Sequence, residues 1–256
     1  MNGEPRVVLF TRAWEPGGPE ERAVAAAGCV PLEVPVLRFE PGRDLERLPA
    51  RLGRPPALDF VVVTSRRAAE ALAGALEGLP AGARPRCAAV GEASALPLRR
   101  AGVEVEVPVP EAGGGAGPLA SHLLHRLDRG GRVLFVRGNL SLDILPGALR
   151  ARGVEVEELE AYRTVPATPE VSRLLAALAA RRVAAAVIGS PSAVEALRAL
   201  LPAEAWAHLM ELPVVAPGET TAEALLHAGA RRVARAAEAG GAGIAAALSN
   251  VLAAGT

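Results

Sequence analysis

The sequence predicts an α/β protein of two similar lobes, each a parallel sheet with helices on both faces. Three observations carry that expectation. Short apolar runs such as residues 7–11 and 59–64 alternate with helical stretches, the pattern of strands buried on both sides. The order of these runs recurs: Val8, Leu9, Phe10 and Arg12 match Val133, Leu134, Phe135 and Arg137 at a displacement of 125 residues. Gly28 with Gly153, and Ser65, Glu70, Ala71 and Leu72 with Ser190, Glu195, Ala196 and Leu197, keep that displacement. At 127 residues Gly91, Glu92, Ala95, Ala101 and Gly102 match Gly218, Glu219, Ala222, Ala228 and Gly229. A unit of about half the chain is too long for a solenoid repeat and reads as a duplicated lobe. Finally, two long stretches, 29–40 and 154–165, read as extended chain and fall at equivalent places in the two copies.

Taken in order, residues 7–11 form a strand and 20–27 a helix that stops at Gly28. The first long stretch follows, and then a Pro/Arg-rich segment at 51–56. Next come a strand at 59–64, a helix at 66–78, a strand at 87–91, a helix at 92–102 and a strand at 103–109. A Gly-rich loop at 113–117 leads to a helix at 119–127, and the order begins again at 133. The stretch 154–165, at ~3.3 Å per residue, spans roughly 40 Å and is too long for one strand of a small sheet. Residues 29–40 and 154–167 therefore read as paired connectors. A crossing at those points sends each opening unit to the other lobe. One lobe then comprises 1–35 with 168–256, the other 39–160, with a cleft between them.

Acidic and basic residues balance at 28 each, so no global field draws nucleic acid or an anionic membrane, and an anion site has to be local. Every basic residue is Arg, Lys and Gln are absent, and Pro is abundant. This suits a thermophile avoiding labile amides and equally a GC-rich genome. Cys29 and Cys87 stand apart from each other and from any His, which argues against a disulfide framework or zinc site and fits a reducing cytosol. No signal architecture opens the sequence and no run passes for a membrane span, so the expected location is cytoplasmic and the default state a monomer.

Ligands of open parallel sheets bind beyond the carboxyl ends of the strands, where helix N-termini present free amides. Six turns there are alike. They contain Thr11 and Arg12; Thr64, Ser65 and Arg67; Gly91, Glu92, Ala93 and Ser94; Arg137, Gly138 and Asn139; Ser190, Pro191, Ser192 and Ala193; and Gly218, Thr220 and Thr221. Helix capping accounts for any one of them. Pro191 suits a first helical position, and Ser192 with Glu195 and Thr220 with Glu223 fit a capping box. Together, with Arg beside three, they favour a ligand carrying several carboxylates or phosphates. No dinucleotide fingerprint, Walker loop or nucleophile setting appears. His122 and His125, three apart on a helix with no acid nearby in sequence, read as a solvated face; His208 and His227 stand alone. Trp14 and Trp206 read as packing. Tyr162, the only Tyr, lies on the second connector, where a hydroxyl serves either an active site or the packing of a hinge.

These stretches, VVLFTR, VVVTSRRAAEAL, AAVGEASA, VLFVRGN, VEVEELEAYRTV, VIGSPSAVEAL and APGETTAEALLHAG, resemble in order and spacing the uroporphyrinogen-III synthase family. The resemblance implies two flavodoxin-like, doubly wound lobes joined by a two-stranded linker. It implies a lyase of tetrapyrrole and heme biosynthesis. Hydroxymethylbilane, a linear tetrapyrrole with eight carboxylates, loses its terminal hydroxyl and closes through a spiro intermediate to a macrocycle with ring D inverted. No cofactor or metal takes part, and hydroxymethylbilane synthase is the expected partner for a transient hand-over. On this resemblance Ser65 and Arg67 occupy the Thr-Ser-x-Arg turn and Ser190 and Ser192 the Ser-Pro-Ser turn. Ser94 stands where Thr is common, and Ala216-Pro217-Gly218 stands where Ile-Gly is commoner. Arg137 and Asn139 are expected carboxylate contacts, and Tyr162 the group that hydrogen-bonds the departing hydroxyl. The rival reading is a non-catalytic two-lobed module that binds an anion or tetrapyrrole for regulation.

Overall fold

In the computed structural model, which describes residues 4–14, 16–54, 57–108, 115–238 and 240–254, apolar runs become strands and the stretches between them helices. The first copy of the repeat contains β1 (Arg6–Phe10), α1 (Pro19–Ala26), β2 (Cys29–Glu33), β3 (Leu37–Pro41), α2 (Leu48–Leu52), β4 (Phe60–Val63), α3 (Arg66–Glu77), β5 (Cys87–Ala89), α4 (Gly91–Arg100), β6 (Val105–Glu106) and α5 (Ala116–Leu124). The second contains β7 (Arg132–Gly138), α6 (Ile144–Arg150), β8 (Glu155–Pro166), α7 (Ser172–Ala179), β9 (Val183–Val187), α8 (Pro191–Leu200), α9 (Ala203–Glu211), β10 (Pro213–Ala216), α10 (Glu219–His227), β11 (Arg232–Arg235) and α11 (Gly241–Ala253).

Two units result, Met1–Arg38 with Val165–Thr256, and Phe39–Thr164. The first holds a five-stranded sheet in the order β11-β10-β9-β1-β2, the second a six-stranded sheet in the order β3-β8-β7-β4-β5-β6. The pairs β2-β1, β1-β9, β9-β10 and β10-β11 are parallel, as are β8-β7, β7-β4, β4-β5 and β5-β6. Each sheet takes two adjoining strands from the start of one copy and three from the end of the other, and the second adds β3 at its edge. Both have the doubly wound order in which a ligand crevice lies beside the first strand, here β1 or β7.

The pleat explains why these runs are apolar throughout. Val7 and Leu9 belong to one core cluster and Val8 and Phe10 to the opposite one. Val61 and Val63 are likewise separated from Phe60 and Val62. Alternate side chains of a strand point to opposite faces, and helices cover both, so no position is left for a polar residue.

The long stretches differ from expectation. Residues 154–165, expected to exceed one strand, form the single strand β8, paired to β7 from Glu155 to Tyr162 with a register shift at Arg137/Gly138. The first stretch divides into β2 and β3, which belong to different sheets. Pro31 is tolerated because β2 is an edge strand. Ala167 N–H donates to Val36 O at 2.8 Å, holding the two passages together beyond the end of β8. The expected strand at 103–109 shrinks to Val105–Glu106: β6 is an edge with one partner, and Pro108 has no N–H to extend a ladder. The Pro/Arg-rich segment at 51–56 begins in the last turn of α2, which is held by buried Leu48 and Leu52, and its residues 55 and 56 lie outside the described residues. α5 starts at Ala116 rather than 119, and Gly113 and Gly114 of the Gly-rich loop lie outside the described residues. Among the described residues no helix is long and apolar enough to cross a membrane.

Candidate active site at the strand ends

In the second unit the site is built around Tyr162, near the far end of β8. Its register partner on β7 is Gly138. A Cβ at position 138 would lie 2.8 Å from both Cε2 and the hydroxyl oxygen of Tyr162, so glycine is there because the phenol ring rests on the backbone. The ring's hydroxyl donates to Ser65 Oγ at 3.1 Å. Ser65 is also the N-cap of α3, accepting the Ala68 N–H at 3.3 Å. Its two lone pairs are therefore filled, and its own proton is left to point elsewhere.

A pocket of about 380 Å³ opens beside this pair. Thr64, Ser65 and Tyr162 supply hydroxyls, while Leu140, Leu142 and Ile144 supply an apolar wall. Those three apolar side chains are 54, 68 and 52 % exposed, although similar residues elsewhere are mostly buried. The arrangement can cradle a planar apolar ring and hold one hydrogen-bonding atom at its edge.

The expected cations of this unit have different fates. Arg137 is bound to Glu158 and to Ser141 O, and its Nε donates to Gly138 O at 3.2 Å, so its charge is neutralised locally. Burial alone would raise the Glu158 carboxyl, but hydrogen bonds and charge from Arg137 and Arg150 outweigh it and hold the group below the ordinary value. Asn139 works as a substitute peptide: Nδ2 donates to Thr164 O at 3.1 Å and Oδ1 accepts the Thr164 N–H at 2.7 Å. Its own N–H donates to Tyr162 O at 3.2 Å, so the residue carries the β7–β8 ladder past the register shift. Arg67 lies with its guanidinium 3.3 Å from the centroid of the Phe39 ring. Gly91, Glu92, Ala93 and Ser94 all fall in the first turn of α4, whose N-cap is Val90. Gly91 has φ +71°, Glu92 is paired with Arg99, and Ser94 is buried.

In the first unit Thr11 is 4 % exposed and bridges strands; its hydroxyl donates to Val187 O at 3.3 Å and accepts the Gly189 N–H at 3.2 Å. Arg12 is tied to buried Glu20. Ser190 caps α8 by accepting the Ala193 N–H at 3.2 Å, with Pro191 at the first helical position. Ser192 lies within the helix. The expected capping boxes do not form. Ser190 and Gly218 are the N-caps, so Ser192 and Thr220 sit two residues too late to cap. Gly218 has extended backbone, Thr220 is exposed and Thr221 is buried.

His122 also departs from expectation: its Nε2 lies 2.9 Å from Glu106, a carboxylate that also meets Arg86 and Arg126. Glu106 comes from the preceding strand, beyond the reach of a helical-neighbour argument. Among the described residues no three His, Cys, Asp or Glu side chains are grouped to hold a metal ion. Trp206 is a core residue, and Trp14 packs edge-on to Phe10 at 4.8 Å. Sequence reasoning missed Phe39 and the wall of Leu140, Leu142 and Ile144. The alternating apolar residues of LSLDI just after a strand were the available signal.

A sequence model of the family described as uroporphyrinogen-III synthase HemD matches residues 20–246. A uroporphyrinogen-III synthase of Salmonella typhimurium is 29 % identical over 163 residues, which cover 61 % of this chain and 64 % of that protein, so the match spans just under two thirds of the relative. Among solved structures, a mutant uroporphyrinogen III synthase of Thermus thermophilus superposes with a TM-score of 0.62 at 22 % identity, covering 97 % of this chain and 96 % of that one. The uroporphyrinogen-III synthetase of Helicobacter pylori 26695 gives 0.60 at 15 % identity, with 94 % and 96 % covered. The structural likenesses establish the fold, and the match over residues 20–246 establishes the lineage: the chain belongs to the uroporphyrinogen-III synthase family.

Proposed function

We propose that this protein is a uroporphyrinogen-III synthase, closing hydroxymethylbilane to uroporphyrinogen III with inversion of ring D and loss of water. The observation that carries the reading is the Tyr162–Ser65 pair beside an apolar-walled pocket, in a chain of this family. The substrate closes unaided to the uninverted isomer, so the catalyst has mainly to fix which carbon attacks. Positioning accomplishes that, and a set of titrating side chains is not required.

Tyr162 gives its hydrogen bond to the departing hydroxyl as a weak general acid. The C–O bond breaks as the pyrrole nitrogen supplies electrons, and the oxygen leaves as water. Ser65, whose own proton is not committed to Tyr162, turns it onto the phenolic oxygen as that oxygen gives up its bond. Arg67, Thr220, Ser192 and the amides of the strand-end turns take substrate carboxylates. Arg137, Asn139 and Thr11 act one step back by shaping those turns. The enzyme works in the cytoplasm as a monomer and receives its short-lived substrate from hydroxymethylbilane synthase.

The test supplies hydroxymethylbilane generated in situ, oxidises the products and separates the uroporphyrin isomers. Predominantly isomer III is expected, and isomer I alone, as in the enzyme-free control, refutes the synthase reading. Tyr162→Phe is expected to lower turnover by roughly 10²-fold. Full turnover with an unchanged isomer ratio removes the acid role.

A further inference from the structure

We infer that Phe39 is a positioning residue, holding Arg67 as an unneutralised cation beside Tyr162 for a substrate carboxylate. The inference rests on the synthase reading of the site and adds a residue to it. Three observations support it.

The first concerns where Arg67 stands. It occupies the first turn of α3, which contains no acidic residue. A helix N-terminus carries partial positive charge, so a cation there opposes the helix dipole. Glu70, the acid one turn on, is occupied by Arg66 at 2.9 Å. Among the described residues Arg67 has no acidic partner, unlike Arg12, Arg137 and Arg163, which pair with Glu20, Glu158 and Glu160. Its placement is poor for helix stability and good for meeting an anion.

The second concerns what holds it. The guanidinium carbon lies 3.3 Å from the centroid of the Phe39 ring. Phe39 is 47 % exposed, and its outer face serves Arg67 rather than the core. A ring face fixes a guanidinium in place without cancelling its charge and leaves the N–H edges free for a bidentate carboxylate. A carboxylate partner would have neutralised it.

The third is proximity to the reacting group. The Phe39 and Tyr162 rings are 6.3 Å apart between centroids at 54°, within the range of an aromatic pair. Phe39 thus touches both the cation and the phenol whose hydroxyl meets Ser65, and Ser65 caps the helix that carries Arg67.

The test is a double-mutant cycle on the full chain with uroporphyrin I, a stable octacarboxylate, as the titrated probe. Phe39→Leu is expected to weaken binding about two- to fivefold, the range of an exposed cation–π contact, while Phe39→Tyr restores it. In an Arg67→Ala background Phe39→Leu is expected to have no further effect. The Arg67 Hδ protons should resonate upfield by ring current and lose that shift in Phe39→Leu. In turnover, Phe39→Leu raises KM more than it lowers kcat. Equal losses with and without Arg67, an absent ring-current shift, or a wild-type protein that does not bind the probe would each overturn the inference. Wild-type protein yielding isomer I alone would remove the synthase reading, leaving the binding cycle and the ring-current shift to judge Phe39.

Discussion

Replacing Gly138 with alanine tests the idea that the Tyr162 ring is seated on bare backbone. The new methyl would overlap Cζ and lie 2.8 Å from Cε2 and from the phenolic oxygen, against a comfortable separation of about 3.5 Å, so the ring has to move by about 1 Å. It has little freedom to do so without cost, because its hydroxyl is held 3.1 Å from Ser65 and its ring packs against the core beneath. Overpacking of this kind costs about 1–3 kcal/mol, and loss of the Tyr162–Ser65 hydrogen bond adds about 1 kcal/mol. The expected total is about 2–4 kcal/mol, together with a fall in turnover approaching that of Tyr162→Phe. A chain of two units need not unfold in one step. The appropriate readout is therefore amide hydrogen exchange at Val133–Val136 in β7, which reports the second unit alone. The decisive comparison is the same substitution in a Tyr162→Ala background, where the obstructing ring is gone and the stability cost should fall to a few tenths of a kcal/mol. An undiminished cost there would show that the glycine is needed for another reason.

Three further outcomes are expected. Asn139→Ala, which deletes side-chain hydrogen bonds of 2.7 and 3.1 Å to Thr164, should cost about 1–3 kcal/mol and speed exchange of the Thr164 amide ahead of the rest of β8. Both thiols are buried, and burial pushes Cys87 up to about 12 and Cys29 above its ordinary value; a disulfide reagent at neutral pH should therefore leave the native protein unmodified and titrate two thiols after denaturation. Burial raises Glu106, but hydrogen bonds from His122 and Arg86 and the charges of Arg126 and Arg86 outweigh it and bring its carboxyl below the ordinary 4.5. Because the folded value is the lower one, the stabilisation is present above 4.5 and is lost as pH falls through the folded value. Glu106→Gln should therefore be less stable than the parent at pH 7, with the gap closing in acid; a gap independent of pH would contradict this assignment.

Much of the architecture is legible locally. A strand buried on both faces has to be apolar at every position, so the runs at β1, β4, β7, β9 and β10 announce themselves within four to seven residues. Ser65 and Ser190 cap the following helix through an N–H only three residues away, and Pro191 opens its helix through its own ring. The 125-residue displacement is likewise visible without coordinates, since the same local signals recur in the same order. Tyr162 could be singled out as the one phenol on a long acidic strand, but not what surrounds it.

What surrounds it depends on strand register across long separations. Tyr162 meets Ser65 over 97 positions of sequence, and Gly138 lies beneath the ring only because β7 and β8 slip by one residue at that point. Asn139 looks like a ligand contact in sequence and proves to be a stand-in for a peptide unit, because its partner, Thr164, is 25 residues away. Arg137 reads as a free cation until β8 brings Glu158 beside it, and His122 as a solvated helix face until Glu106 arrives from the neighbouring strand. By itself the sequence determined the class of fold, the duplication and the start of α8 at Pro191, which rest on local signals, whereas the capping boxes it suggested at Ser192 and Thr220 did not form. Tertiary structure alone decided which charges are cancelled and which, like Arg67 on Phe39, are not. Neutralisation depends on which side chains the strand pairing brings within a few ångströms, and the strength of charge interactions falls steeply with that distance.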